Sequence, residues 1–189
     1  MENKVCNILG NGATIKTFIP NGLISFGCNY ILDYVQRCEY IMAIDVNIKD
    51  EYLQKLNDNP DNFIRFFSGR PEYKGKVNKF TQLIYSDLPR KYEDIQHEEI
   101  YPFSSVSMFT VPVLAYRMGF REMNFYGVDF NIDYAYCRED RYEKEFYIKS
   151  IHEDFARLYS EMKKLGCIWR VSSKESALSK FVPLMSNIF

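Results

Sequence analysis

The chain has 189 residues, 47% of them apolar, and a net charge of −1. That is enough for one domain with a real core, too apolar for a disordered segment, and too neutral for a global field directed at nucleic acid. No apolar run reaches the ~18 residues of a membrane span and no signal-peptide pattern opens the chain, so the expectation is a soluble, cytoplasmic protein.

The five cysteines include no pair at C-x-x-C spacing. Cys6, Cys28 and Cys167 lie in or beside apolar runs, which reads as reduced, buried thiols rather than a disulfide framework or a zinc site. The 15 Tyr and 15 Phe make a homo-oligomer one expectation. No repeat, low-complexity tract or Gly/Ser linker divides the chain, so residues 1–189 read as a single domain.

In chain order, residues 5–9 read as a strand that ends in Gly10-Asn11-Gly12, with a helix-compatible segment beyond. Two glycines allow a sharp turn and close approach to a ligand, and the N–H groups of a helix start suit an anion such as a phosphate. The dinucleotide fingerprint is incomplete, because Ile15 stands where the third glycine belongs, and no Gly-Lys-Ser/Thr makes a Walker loop.

Further strands are read at 23–28 and 40–44, with shorter ones at 63–67 and 82–85, and helical patterns at 30–36 and 50–56. Alternating strands and helices predict a parallel α/β sheet, whose ligands gather outside the carboxyl ends of the strands. Three early strands deliver Asn11, Asn29, and Asp45 with Asn47 at that edge, and an Asn side chain offers both donor and acceptor.

In the second half, residues 104–118 read as a helix capped by Ser104 and Ser105, with Pro112 kinking it or shifting its start. A strand at 122–126 ends in Gly127-Val-Asp129-Phe130-Asn131. The Tyr-rich, charged stretch that follows reads as a lid over about 131–149. Residues 150–165 form an amphipathic helix with Ile151, Phe155, Leu158 and Met162 on one face, ended by Gly166. A strand at 167–171 and a helix at 174–184 close the pattern. The aromatic C-terminus reads as a core cover, with a peripheral membrane contact as the alternative. The fold class is therefore α/β: a single Rossmann-like domain, mostly parallel sheet flanked by helices, with a short lid.

Gly10-Asn-Gly-Ala-Thr-Ile-Lys16, Cys28-Asn29, His97-Glu-Glu-Ile-Tyr101, Ser104-Ser105 and Met118-Gly-Phe-Arg-Glu-Met-Asn-Phe-Tyr-Gly-Val-Asp-Phe130 occur in that order. Together they resemble the bacterial sialyltransferases of glycosyltransferase family 42, related in turn to small nucleotide-binding α/β domains of the pterin diphosphokinase group. The resemblance implies a glycosyltransferase that uses a nucleotide-sugar donor and no metal cofactor. Its acceptor would be a glycan or a modified nucleobase. Carried over, Gly10, Asn11, Gly12 and Thr14 (where the family commonly has Ser) meet the donor phosphate and sugar, and Asn29 hydrogen-bonds the donor. Ser104 and Ser105 meet its carboxylate or phosphate, while Gly127, Asp129 and Phe130 line ribose and base. Asp45 and Asn47 complete the polar edge, and Tyr134 or Tyr136 touch the departing phosphate.

No Asp-x-Asp supports a metal-clamped donor; Asp45-Val-Asn47 and Asp129-Phe-Asn131 come nearest. For the general base there are two histidines. His152 follows the lid and opens the long helix, about a turn later than the family's catalytic His. His97 reads as structural, and Asp129, Asp133 or Glu153 are alternatives. The arginine that the resemblance places before the Ser-Ser helix is absent, since Pro102-Phe103 stand there, and no arginine in the matched motifs answers a sialic-acid carboxylate. Two other readings remain open: a diphosphokinase-type nucleotide transferase and a nucleotide-binding protein without catalysis.

Overall fold

The computed structural model describes residues 4–44, 48–58, 64–86, 95, 100–102, 106–131 and 141–186. Asp45, Asn47, His97, Ser104, Ser105, Tyr134 and Tyr136 lie outside the described residues.

The elements run β1 (Lys4–Leu9), β2 (Ser25–Cys28), β3 (Tyr40–Met42), α1 (Asp50–Asn57), β4 (Arg65–Ser68), β5 (Phe80–Gln82), β6 (Ile84–Ser86), β7 (Ile100–Pro102), α2 (Thr110–Arg117), β8 (Phe120–Tyr126), α3 (Arg141–Lys164) and β9 (Ile168–Val171). Seven strands form one sheet in the order β5-β4-β3-β2-β1-β8-β9, every pair parallel, and β6 pairs with β7 separately. This is the expected Rossmann-like α/β sheet. β1 is central because it is buried on both faces: Cys6, Ile8 and Leu9 are fully enclosed.

One face of the sheet is covered by α2 and α3. Residues Ile148, Ile151, Phe155, Leu158 and Met162 recur at helical spacing along α3 and are all buried, packing with Phe125 and Trp169 of the sheet. The other face is covered by α1, through Tyr52, Leu53 and Leu56, and by short 3₁₀ turns. The described cysteines are buried, and burial pushes the Cys6, Cys38 and Cys167 thiols up, the last to about 11. They serve as small apolar fill.

The helices depart from the sequence reading in instructive ways. The turn after Gly12 is a five-residue 3₁₀ helix, Ala13–Thr17, not an α-helix. The 30–36 pattern shrinks to a 3₁₀ turn at Ile31–Asp33, and the Tyr52 hydroxyl accepts the Leu32 N–H at 3.0 Å, one of the first-turn donors that no helical carbonyl reaches. Pro112 shifts the start of α2: a 3₁₀ turn at Ser107–Phe109 precedes it and Pro112 sits in its first turn, where its missing N–H costs nothing.

α3 starts at Arg141, so residues 141–149 of the stretch read as a lid are helical and His152 lies well inside the helix rather than at its opening. The 174–184 helix is only a 3₁₀ turn, Ala177–Lys180. Beyond it the chain bridges to β9: the Val171 N–H donates to Pro183 O at 2.9 Å and the Met185 N–H to Val171 O at 3.0 Å. Among the described residues no helix is long and apolar enough to cross a membrane.

Candidate functional site

The chain leaves β1 toward β2 on one side and returns through β8 on the other, so the strand order reverses between β1 and β8. Open parallel sheets bind ligands at such a reversal, outside the carboxyl ends. The segments that arrive there are Gly10–Gly12 from β1, Cys28-Asn29 from β2, Ser107-Met108 ahead of α2, and Gly127–Phe130 from β8. They line a small recess of about 50 Å³.

The β1–β8 seam is closed by backbone. The Gly10 N–H donates to Tyr126 O and the Gly12 N–H to Gly127 O, each at 2.8 Å. A Cβ on Gly127 would lie 2.3 Å from Gly10 O, and the residue has φ +65°, so glycine is required there on both counts.

Just beyond, Asp129 is almost fully buried. Its carboxylate accepts the Thr14 N–H at 2.8 Å and the Thr14 hydroxyl as well. The anion at the start of this turn is thus the protein's own carboxylate. The Ile15 N–H is taken by Gly12 O at 3.0 Å. The phosphate cradle expected at this helix start is therefore filled from within: Thr14 and Asp129 satisfy each other.

Elsewhere around the Gly10–Gly12 turn the polar groups are incompletely matched. Asn11 Oδ1 is buried with no hydrogen-bond partner among the described residues. An orphaned acceptor of this kind costs about 1–3 kcal/mol. Asn29 has φ 51°, its N–H donates to Met42 O at 2.8 Å, and its Oδ1 accepts the Ser107 hydroxyl at 3.0 Å. Ser107 Oγ in turn accepts the Ile44 N–H at 3.0 Å, tying β2, β3 and the start of α2 into one polar corner.

Phe130 also has a left-handed backbone, φ 45°, unusual for a bulky side chain. Its ring is buried beside Phe155, centroids 5.3 Å apart. Its carbonyl oxygen lies 2.7 Å from His152 Nε2. With the ring fixed on the core and the carbonyl held by the histidine, the backbone between them takes the strained conformation, and such strain clusters at functional sites. A carbonyl only accepts, so Nε2 carries the hydrogen in this contact, and in a neutral ring Nδ1 is then the nitrogen with the lone pair.

The structure therefore gathers Gly10, Asn11, Gly12, Asn29, Gly127, Asp129 and Phe130 around one recess, and puts His152 in contact with Phe130. Cys28, read only as a buried thiol and a motif neighbour of Asn29, also lines it, as do Ser107, Met108 and Val128, which had no assigned role. Ser107 could have been found, as the third serine of Ser104-Ser105-Val106-Ser107 at the mouth of a helix. Among the described residues no three His, Cys, Asp or Glu side chains come together as a metal site.

No protein-family model matches the chain, and no curated protein sequence matches it. Solved structures do. The chain is similar to the sialyltransferase CstII from Campylobacter jejuni in complex with a substrate analogue, cytidine-5'-monophosphate, at 15% identity and TM-score 0.57, covering 97% of this chain and 86% of that one.

It is similar to an α-2,3-sialyltransferase from Campylobacter jejuni in its apo form, at 16% identity and TM-score 0.61, over 98% and 81%. It is also similar to the sialyltransferase CST-II in complex with a trisaccharide acceptor and CMP, at 14% identity and TM-score 0.60, over 97% and 87%. The fold is sialyltransferase-like. These neighbours lend no support to the pterin diphosphokinase side of the resemblance.

Proposed function

We propose that this chain is a glycosyltransferase that moves a sugar from a nucleotide-sugar donor of the CMP-sugar class to a hydroxyl of a glycan acceptor. The observation that carries the reading is Asn11 Oδ1 at the strand-order reversal, buried with no hydrogen-bond partner among the described residues, in a recess bounded by two left-handed non-glycine residues. A buried acceptor without a donor is what a site looks like before its ligand supplies a hydroxyl or amine. The likeness to sialyltransferases solved with CMP and with a trisaccharide acceptor supports the same donor and acceptor classes here.

In this reading Asn11 accepts a donor hydroxyl or amine, and Asn29 contributes its amide, its oxygen being held by Ser107. Asn47, Ser104 and Ser105 extend the polar edge. As the acceptor oxygen bonds to the anomeric carbon, its proton passes to His152 Nδ1. The bond from that carbon to the phosphate oxygen breaks, and its electron pair leaves with the nucleotide. The Phe130 carbonyl holds the imidazole in the tautomer that has Nδ1 available, as a second group must for any histidine base. Hydrogen-bond donors, Tyr134 or Tyr136 among them, take the charge that grows on the departing phosphate, so no metal is required. Asp129 is a positioning residue, because its carboxylate is committed to Thr14.

The test is thermal shift with CMP, UDP, GDP and ADP, followed by hydrolysis of the matching sugar nucleotide with and without EDTA. CMP is expected to stabilise the protein and turnover to survive EDTA. His152→Ala is expected to keep CMP binding and lose turnover by about 10²–10⁴-fold. CMP binding without turnover in the parent protein would instead mark a nucleotide-binding protein that lacks catalysis. No stabilisation by any nucleotide would sink the reading.

A further inference from the structure

We infer that Arg70, at the end of β4, reads an anionic group of the donor; the inference rests on the function proposed above. Across the seven-stranded sheet, the two residues that follow each strand are uncharged at six strand ends and include one charge at the seventh, Arg70. Among the described residues directly after the strands of the sheet it is the one cation, at the edge where ligands of such sheets lie. The sequence leaves a donor carboxylate without an arginine in the matched motifs, and the fold brings one in from a segment that no motif marks.

The guanidinium is oriented rather than loose. Its Nε donates to Ile44 O at 3.3 Å and its Nη1 to Glu72 Oε1 at 3.4 Å. Ile44 is the residue whose N–H donates to Ser107 Oγ, and Ser107 donates to Asn29 in the recess. One short run of contacts therefore links Arg70 to the polar corner.

Nη2 has no partner among the described residues, and the side chain is 36% exposed. With Nε held from behind, the Nη1 and Nη2 edge is available for two-pronged capture of a carboxylate or phosphate. Glu72 already shows that this edge takes a carboxylate. The pair is long, and Glu72 is half exposed, so it is weak and exchangeable. β4 lies three strands from β1 in the sheet, about 14 Å at the usual spacing, so a donor held at Asn11 must extend across the strand ends to reach it.

The experiment measures binding of CMP and of CMP-3FNeuAc, a donor analogue bound in one solved sialyltransferase, to the parent protein, Arg70→Gln, Arg70→Lys and Glu72→Gln by calorimetry. Arg70→Gln is expected to weaken the sugar nucleotide by about 10-fold or more, with Arg70→Lys intermediate because it keeps the charge and loses the fork. Glu72→Gln is expected to tighten it two- to threefold, by roughly the strength of an exposed ion pair, and it removes no contact to the polar corner.

Loss confined to CMP-3FNeuAc assigns Arg70 to the sugar carboxylate; loss for both ligands assigns it to the phosphate. Unchanged binding of both ligands in Arg70→Gln overturns the inference while leaving the proposed function intact. If the parent protein binds neither ligand, the proposed function itself has failed. Should Arg70→Gln be unstable, an unchanged affinity in Glu72→Gln overturns the inference on its own.

Discussion

The Gly10–Gly12 turn has two sides, and they are built in opposite ways. Toward β8 it is closed: backbone meets backbone at Gly10 and Gly127, and Asp129 satisfies both polar groups of Thr14. At Asn11 it is unfinished: Asn11 Oδ1 is buried with no hydrogen-bond partner among the described residues, and Asn29, which lines the same recess, takes a left-handed backbone. The closed side holds the strand order together, and the open side is where a ligand would complete the hydrogen bonding. A glycine turn alone says nothing about which side is which. The distinction lies in where the neighbouring polar atoms go.

The largest effect is expected where the closed side is forced apart. Gly127→Ala puts a Cβ against Gly10 O and demands a left-handed alanine. Backbone strain and overpacking together should cost about 3 kcal/mol. For a domain of this size that lowers Tm by about 6–12 °C, readable by calorimetry. An unchanged Tm would mean that the seam is looser than its hydrogen bonds imply.

Thr14→Val should have a smaller effect. It removes the hydroxyl donor from a buried carboxylate and keeps the Thr14 N–H, for a cost of about 1.5–3 kcal/mol in urea unfolding. Thr14→Ser keeps the hydroxyl and is expected to recover most of that loss. If Thr14→Val binds CMP normally once folded, Thr14 belongs to the closed side alone.

The smallest stability effect, and the one of opposite sign, is expected on the open side. Asn11→Ala removes an acceptor that has no donor among the described residues, so the ligand-free protein should be unchanged or up to about 1 kcal/mol more stable. CMP affinity should nevertheless fall by about 10-fold. Loss of stability in the absence of ligand would show that Asn11 is a structural residue, and the asymmetry between the two sides would collapse.

Much of the architecture was legible in the sequence because hydrophobic periodicity reports burial. The strands at 5–9, 122–126 and 167–171 and the face of α3 carry dense apolar patterns, and they lie where the patterns put them. The partners of the 3₁₀ turns were not legible, because they are distant: the Tyr52 hydroxyl caps Leu32, and Asp129 accepts two hydrogen bonds from Thr14, 115 residues away. A local pattern cannot register a partner of that kind.

The candidate site divides the same way. Asn11, Asn29 and Gly127–Phe130 could be found because strand-end residues fall at the carboxyl edge by topology. Arg70 could not be weighted, since its importance depends on the contacts that join Ile44 to it and to Ser107. The contact of His152 with Phe130 was not legible either, because it joins α3 to the segment after β8 across 22 residues.

The strand order also has a consequence in time. β1, the central strand, precedes β8 by more than a hundred residues, yet its β8-facing edge is covered only when that strand arrives. At a synthesis rate of about 5–20 residues per second, that edge waits on the order of ten seconds on the ribosome. An apolar strand edge left unpaired for so long is a template for joining another copy of the chain. Nascent-chain yield should therefore respond to holdase chaperones far more than the stability of the finished sheet would suggest.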